Sequence, residues 1–341
     1  MRTLAHWLIL TLCSSCEAQT GAAARKLIPA AWNDASAHKT LFIAVDANVR
    51  LEVLDWGGSG RPIVLLAGLG MTAHIFDGFA ENLTQAGHVF GITRRGYGAS
   101  SRPSSGYSEE RLAEDDLKVI ESLGLTAPVV AGHSIAGNEL SQLGIHHPDR
   151  VGGLIYLDAL NDGGDDYTEY DELCARLPER MRTAPQPQPA DRQSFAAYRA
   201  WQLRNQGVAF PESELRAEFA QTADGGVGSH QTPGFVPQAI VSGDHAHDYS
   251  QIRVPVLALL GYPESPQDQI REHHIDDSNE RMVVEAVYGV YVAMARNRVR
   301  RIRAAGRGAR TVDLWSANHF VFLSNPGDVL REMRSFLSSL P

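Results

Sequence analysis

Cysteine is scarce in this chain. Three residues, Cys13, Cys16 and Cys174, are spread over 341 positions, and two of them fall within the first sixteen. That excludes a small disulfide-stapled fold and a cysteine-built zinc module. Positive charge is also in deficit: 31 Lys and Arg against 40 Asp and Glu leave a formal net charge of −9. A protein that holds nucleic acid by neutralising phosphates needs the opposite balance, so no nucleic-acid partner is expected. The apolar run at the start, Leu4 to Leu12, falls short of the ~20 residues that cross a bilayer, and no membrane span is expected. A phosphate-cradling loop is missing as well, because neither the lysine nor the helix that would complete one follows Gly57-Gly58-Ser59-Gly60. The histidine pairs His146-His147 and His273-His274, and His245 and His247, lack a ligand spacing such as His-Glu-x-x-His. No metal or cofactor is therefore expected, and these histidines are read as surface or cap residues, with His245 or His247 near the cap mouth.

What is present is an ample supply of apolar residues, 43% of the chain, enough to bury the core of one large domain or two small ones without covalent staples. Arg2 followed by the short apolar run resembles a secretory signal peptide over residues 1–18, with cleavage after Ala18. A lipoprotein anchor at Cys16 and a plain tail are the alternatives. A secreted or periplasmic protein is expected, and the cleaved chain keeps Cys174 alone, so it has no internal disulfide. Residues 19–39 read as a loose leader.

From Thr40 the pattern becomes regular. Leu41 to Val45, a turn at Asp46-Ala47-Asn48, and alternating Val49, Leu51 and Val53 predict a hairpin. Continuous apolar runs follow at Ile63–Leu66, Val89–Ile92, Val129–Ala131, Leu154–Leu157, Val256–Leu260 and Thr311–Trp315, as expected of strands covered on both faces. Helical stretches separate them: Ser108 to Leu123, Ser134 to His146, Glu280 to Arg303 and Gly327 to Leu340. Alternation of this kind predicts an α/β fold with a mostly parallel central sheet flanked by helices. The rhythm fails between Ala159 and Ile252. Pro185 to Pro189 reads as a stiff linker and Gln193 to Asn205 as a helix, so residues 161–250 are expected to form a helical cap inserted into a core made of 40–160 and 251–341. The arginines from Arg296 to Arg303 read as a solvated helix face, and Cys174 as a small apolar cap residue.

The residues that carry chemistry centre on Val129-Val130-Ala131-Gly132-His133-Ser134-Ile135-Ala136-Gly137. A strand runs through a glycine into a serine, small residues and a helix. Such a turn strains the serine backbone and lifts its hydroxyl clear of the sheet, while the helix aims its N–H groups at the adjacent space. The segment resembles the nucleophile elbow of the α/β-hydrolase family, with Ala136 where a second glycine is usual and Gly137 just after. The resemblance extends over most of the chain from Thr40. Leu65-Leu66-Ala67-Gly68-Leu69-Gly70 resembles the family's oxyanion loop, with Ala67 where histidine is usual, and implies the backbone N–H groups of Leu69 and Ile135 as oxyanion donors. Thr93-Arg94-Arg95-Gly96-Tyr97-Gly98-Ala99-Ser100 resembles an Arg-Gly-x-Gly-x-Ser loop, read as a structural turn. His319, on the loop after the last strand, is the implied general base. For the orienting acid two carboxylates stay open: Glu264, favoured by its place after the second-last strand, with Asp268 behind it, and Asp158 at the end of Leu154–Leu157. His74 and His133 are expected to flank the pocket without reacting.

The resemblance implies a serine hydrolase of carboxylic esters, working on a small-molecule substrate through an acyl-enzyme on Ser134 without a cofactor. The alternatives are an aminopeptidase, with Glu169, Asp171 or Glu172 pairing a substrate amine, a carbon–carbon bond hydrolase, or a non-catalytic binder on the same scaffold. A serine at the elbow argues against the family's epoxide hydrolases and haloalkane dehalogenases, which carry aspartate there. Substrate and oligomeric state are not readable from the sequence.

Overall fold

The computed structural model describes residues 32–160, 163–305 and 308–341. The expected signal peptide, Cys13, Cys16 and most of the leader lie outside the described residues.

Eight strands form one sheet: β1 (Lys39–Asp46), β2 (Val49–Gly57), β3 (Pro62–Leu66), β4 (His88–Ile92), β5 (Val129–His133), β6 (Gly153–Leu157), β9 (Val256–Tyr262) and β10 (Ala309–Trp315). Their order is β1-β2-β4-β3-β5-β6-β9-β10. β1 and β2 are the expected hairpin, and β2 also runs antiparallel to β4; every other pairing is parallel. The central strands β5 and β6 are buried at every residue. That is why their apolar runs are continuous: both faces are covered, and each Val, Leu or Ile removed from water contributes about 1.5–3 kcal/mol.

Helices pack on both faces. α1 (Glu109–Ser122) starts where Ser108 Oγ accepts from the Arg111 N–H, and α2 (Ala136–His146) leads away from β5. Between β6 and β9 lie α3 (Thr168–Cys174), α4 (Glu179–Arg182), α5 (Phe195–Gln206), α6 (Glu212–Glu218) and α7 (Phe235–Ser242). This insertion is not purely helical as expected. Phe219–Gln221 (β7) and Val227–His230 (β8) form a small antiparallel hairpin, turned at Asp224-Gly225-Gly226 with Gly225 at φ +94°. Its strands are too short for alternation to register, and the Asp-Gly turn was the only local signal. After β9 come α8 (Pro266–Glu272) and α9 (Ser278–Ile302); α10 (Val321–Ser324) and α11 (Pro326–Ser339) close the chain.

The arginine run on α9 departs from the expected solvated face. Arg296, Arg300 and Arg303 are exposed, but Arg298 is buried, donating from Nε to Asp165 at 2.7 Å and from Nη2 to the Tyr167 hydroxyl at 2.7 Å. One helical face thus carries the charge into the insertion. Cys174 is free and half-buried on α3.

Candidate active site

Ser134 sits where β5 turns into α2, at φ +55°. A non-glycine residue in the left-handed region costs energy and persists only where its surroundings enforce it. Here they do: the Ser134 N–H donates to Leu157 O on β6 at 3.3 Å, and Ser134 O accepts from the Gly137 N–H at 2.9 Å. The two small residues after the serine have different tasks. Ala136 is fully buried. Gly137 lies so close to the end of β6 that an added methyl would stand 1.8 Å from Ala159 O. The glycine displaced by one position from the usual pattern is therefore a packing requirement of α2 against β6.

The 67–72 loop passes directly beside the serine, since a methyl on Gly68 would reach 3.3 Å from Ser134 Cβ and 2.7 Å from His133 Nδ1. Leu69 and Ile135 are half-buried, and among the described residues neither N–H donates to a protein acceptor. Two ties hold this loop, and neither was foreseen. Arg94, buried, donates from Nη2 to Ala67 O at 2.9 Å and from Nη1 to Gly68 O at 3.3 Å. The same guanidinium forms a bidentate pair with Glu139 of α2 at 2.8 and 2.6 Å. Beyond the loop, the Thr72 N–H donates to Glu214 Oε1 of α6 at 2.8 Å, and Thr72 Oγ1 to Glu214 Oε2. Burial pushes Glu214 up to about 7 and its buried neighbour Glu218 well above the ordinary carboxyl range, so Glu218 holds a proton and shares it with Glu214. The neighbouring Arg95 acts as the expected structural turn, forked onto Asp115 at 2.6 and 2.7 Å.

His319 follows β10. Its loop is fixed by the Ala317 N–H on Tyr262 O at 2.9 Å and by Asn318 Nδ2 on Gln206 O of the insertion at 2.8 Å. His319 Nδ1 stands 2.7 Å from Asp158 Oδ2. Its Nε2 is buried and makes no hydrogen bond in the structure. The carboxylate on the imidazole is thus Asp158, and the preference for Glu264 is corrected. Asp158 ends β6 at φ +48°, its N–H donates to Leu259 O at 2.8 Å, and its Oδ1 accepts from the Gly261 N–H at 3.0 Å. β6 lies between β5 and β9 in the sheet, so its carboxyl end is on the serine side. Glu264 is exposed. The start of α8, capped by Ser265 Oγ accepting from the Asp268 N–H, carries it outward together with Asp268.

His133 precedes the serine and packs its ring on that of His319, centroids 4.6 Å apart, while its Nε2 donates to His319 O at 3.1 Å. Burial and then the facing His319 hold it well below the usual imidazole range, so it stays neutral and braces His319 through a backbone bond. His74 lies in the short helical turn Ala73–Phe76 and faces Glu52 and Asp77. On α3, Glu169 and Glu172 are exposed and Asp171 half-buried. His245 is exposed, whereas the side chain of His247 is covered and stands 3.4 Å from Glu109.

Residues 63–332 match the alpha/beta hydrolase family profile, and the chain belongs to that family. It is 40% identical over 107 residues to a Caulobacter segnis protein named as a candidate carbamate hydrolase, RutD, a match covering 30% of this chain and 40% of that protein. The chain spans about two-fifths of the length of such curated relatives. Among solved structures, E-2-(acetamidomethylene)succinate hydrolase superposes at a TM-score of 0.61 with 17% identity, covering 89% of this chain and all of that one. An esterase from Rhodococcus sp. ECU1013 superposes at 0.57 with 21% identity and the same coverage. At these identities the likeness is one of fold. No described helix is long and apolar enough to cross a membrane.

Proposed function

We propose that this hydrolase cleaves carboxylic esters through an acyl-enzyme on Ser134, with Asp158 and His319 as its acid and base. The observation that carries the reading is the 2.7 Å pairing of His319 Nδ1 with Asp158, which leaves Nε2 without a hydrogen bond while the ring packs on His133, the residue before a serine held at φ +55°. An ionised carboxylate only accepts, so the Nδ1 proton stays on the ring and Nε2 keeps its lone pair. Nε2 takes the Ser134 proton as Oγ bonds to the acyl carbon. The N–H groups of Leu69 and Ile135 stabilise the resulting oxyanion. Collapse breaks the ester C–O bond, and His319 returns the proton to the leaving alcohol. Water, activated by the same nitrogen, then adds to the acyl carbon and releases Ser134.

The insertion serves in this reading as a cap that shapes the pocket. Its hydrogen bonds to the elements around the serine include Glu214 on Thr72, Gln206 on Asn318, and Asp244 Oδ1 accepting from Asn138 Nδ2 of α2 at 2.9 Å, and Val236 and Ile240 of α7 pack with Leu69 and Ile135. Hydrolysis of a carbamate is the second reading, supported by the name of the Caulobacter relative. Residues 1–18 act as an export signal in this proposal, which sequencing of the N-terminus of the exported protein would check.

The test is labelling by a fluorophosphonate probe, run with a panel of nitrophenyl esters from acetate to palmitate and an aryl carbamate. Labelling at Ser134, lost in Ser134→Ala, with turnover of at least one ester is the expected result. Absence of labelling refutes the serine mechanism. Turnover of the carbamate alone moves the substrate to the second reading.

A further inference from the structure

The two edges of the sheet are finished differently. At one end the register of β1 shifts between Ala44 and Asp46, and Arg111 Nη2 donates to Val45 O at 3.3 Å. A bulge turns an edge strand away from a further partner, and the guanidinium occupies one of its carbonyls. At the other end lies β10, which among the described residues pairs with β9 alone. Ala309–Trp315 holds no proline, and its register against β9 runs without a shift. A straight strand of this kind presents a row of unpaired N–H and C=O groups, a template for one more strand.

The charges on β10 are drawn aside from that row. Side chains alternate, so Ala309, Thr311, Asp313 and Trp315 share the face toward α9, and Arg310, Val312 and Leu314 the face toward α11. Arg310 is held by Glu332 and Ser335 of α11. Asp313 faces the Tyr262 hydroxyl. Trp315 stacks on the Tyr262 ring, centroids 4.4 Å apart, yet stays 53% exposed.

Beside the edge runs a line of positive charge. Arg296, Arg300 and Arg303 recur at helical spacing along one side of α9 and its C-terminal end, and all three are exposed. Arg303 donates from Nε and Nη2 to Thr311 Oγ1 at 3.1 and 2.8 Å, which fixes one end of the line against β10. The charge of Arg296 acts on the Tyr262 hydroxyl, which fixes the other end near Trp315. Between them, Arg300 Nη2 donates to the neutral Asn297 Oδ1 at 3.2 Å. Arg298 and Arg301 of the same helix turn inward onto Asp165. Among the described residues no carboxylate pairs with the outer three, in a chain whose net charge is −9. The line is about 10 Å long at the helical rise. Three side chains on one face of a strand span about 13 Å, a difference that flexible arginines absorb.

We propose that the β10 edge binds an extended acidic peptide of a partner protein, which joins the sheet as a further strand and sets carboxylates at alternate positions against Arg296, Arg300 and Arg303. Backbone pairing with β10 supplies affinity, and the alternate carboxylates supply selectivity. Trp315 gives the peptide an aromatic contact at one end.

The test uses the full chain and a fluorescein-labelled peptide that alternates glutamate and valine, followed by fluorescence anisotropy and by hydrogen exchange over residues 309–315. Binding that weakens with salt is expected, with slower exchange of the β10 amides. Arg300→Glu and Arg303→Glu alter exposed side chains, circular dichroism confirms their fold, and each should weaken binding at least ~tenfold. A peptide with lysine for glutamate, and the acidic peptide with alternate amides N-methylated, should not bind. Equal binding of the N-methylated peptide, equally tight binding of inorganic polyphosphate, or unchanged exchange over β10 shows a polyanion site and overturns strand addition. Binding undiminished in both variants, or no binding of the acidic peptide, overturns the assignment of the edge.

Discussion

Replacing Asp158 by asparagine isolates the contribution of one proton. Asp158 uses both oxygens: Oδ1 accepts from the Gly261 N–H at 3.0 Å and Oδ2 faces His319 Nδ1 at 2.7 Å. The amide introduced by Asp158→Asn has a single carbonyl oxygen to offer. Leaving it on Gly261 preserves a buried backbone bond, so the NH2 group then points at His319. That group donates, and Nδ1 must accept, which moves the ring proton to Nε2. A protonated Nε2 cannot take the Ser134 proton. The fold is untouched, because volume and the Gly261 bond are conserved, yet kcat should fall ~10⁴-fold, about 5 kcal/mol of transition-state stabilisation. Glu264→Gln, at an exposed carboxylate with no tie to the ring, should leave the rate within about threefold. The assay is steady-state hydrolysis of a nitrophenyl ester, with circular dichroism and thermal melting to confirm folding. Asp158→Asn retaining more than a tenth of the wild-type rate, or Glu264→Gln losing as much as Asp158→Asn should, would refute the reasoning.

Further outcomes follow from the loop ties and the turn packing. Arg94→Met leaves Glu139 buried without its partner and frees the carbonyls of Ala67 and Gly68; urea denaturation should show a loss of ~3–5 kcal/mol, and kcat in the folded fraction should drop ~10²-fold as the loop shifts, whereas a change in KM alone would count against a bracing role. The Glu214–Glu218 pair should make stability pH-dependent in a stated direction. Unfolded, the Glu214 carboxyl ionises near its ordinary value of 4.5, and folded near 7, so between these values the folded state holds more protons. Its contribution is complete below 4.5 and is lost as pH rises through 7, a change of ~3 kcal/mol. Urea midpoints from pH 5 to 8 should fall in the wild type and flatten in Glu214→Gln, and identical slopes in the two would contradict the burial argument. Gly137→Ala drives a methyl into Ala159 O and should cost ~1–3 kcal/mol by thermal melting, with an unchanged melting temperature contradicting the packing account.

The amino-acid sequence alone was sufficient for the parts of this protein that are local. The turn that carries Ser134 is written in nine consecutive residues, because a strand, a strained serine and a helix N-terminus are neighbours along the chain. The central strands are written in unbroken apolar runs, because burial on both faces leaves no place for polar alternation. Even the shifted glycine was visible, though its reason was not: Gly137 answers to Ala159, just past the end of β6. Tertiary structure decided whatever depends on which loops meet. Asp158 and Glu264 both follow strands next to one another in the sheet, and only the backbone at each strand end distinguishes them. Asp158 at φ +48° turns inward onto the Gly261 N–H, while Glu264 is drawn out at the start of α8. Arg94 read as one residue of a turn, and its grip on Ala67, Gly68 and Glu139 exists because β4 lies beside β3. The same holds for Glu214 on Thr72 and for His38 on Asp77. Each joins segments far apart in the chain, so the free energy that places them comes from packing and pairing of the whole sheet, which no window of sequence contains.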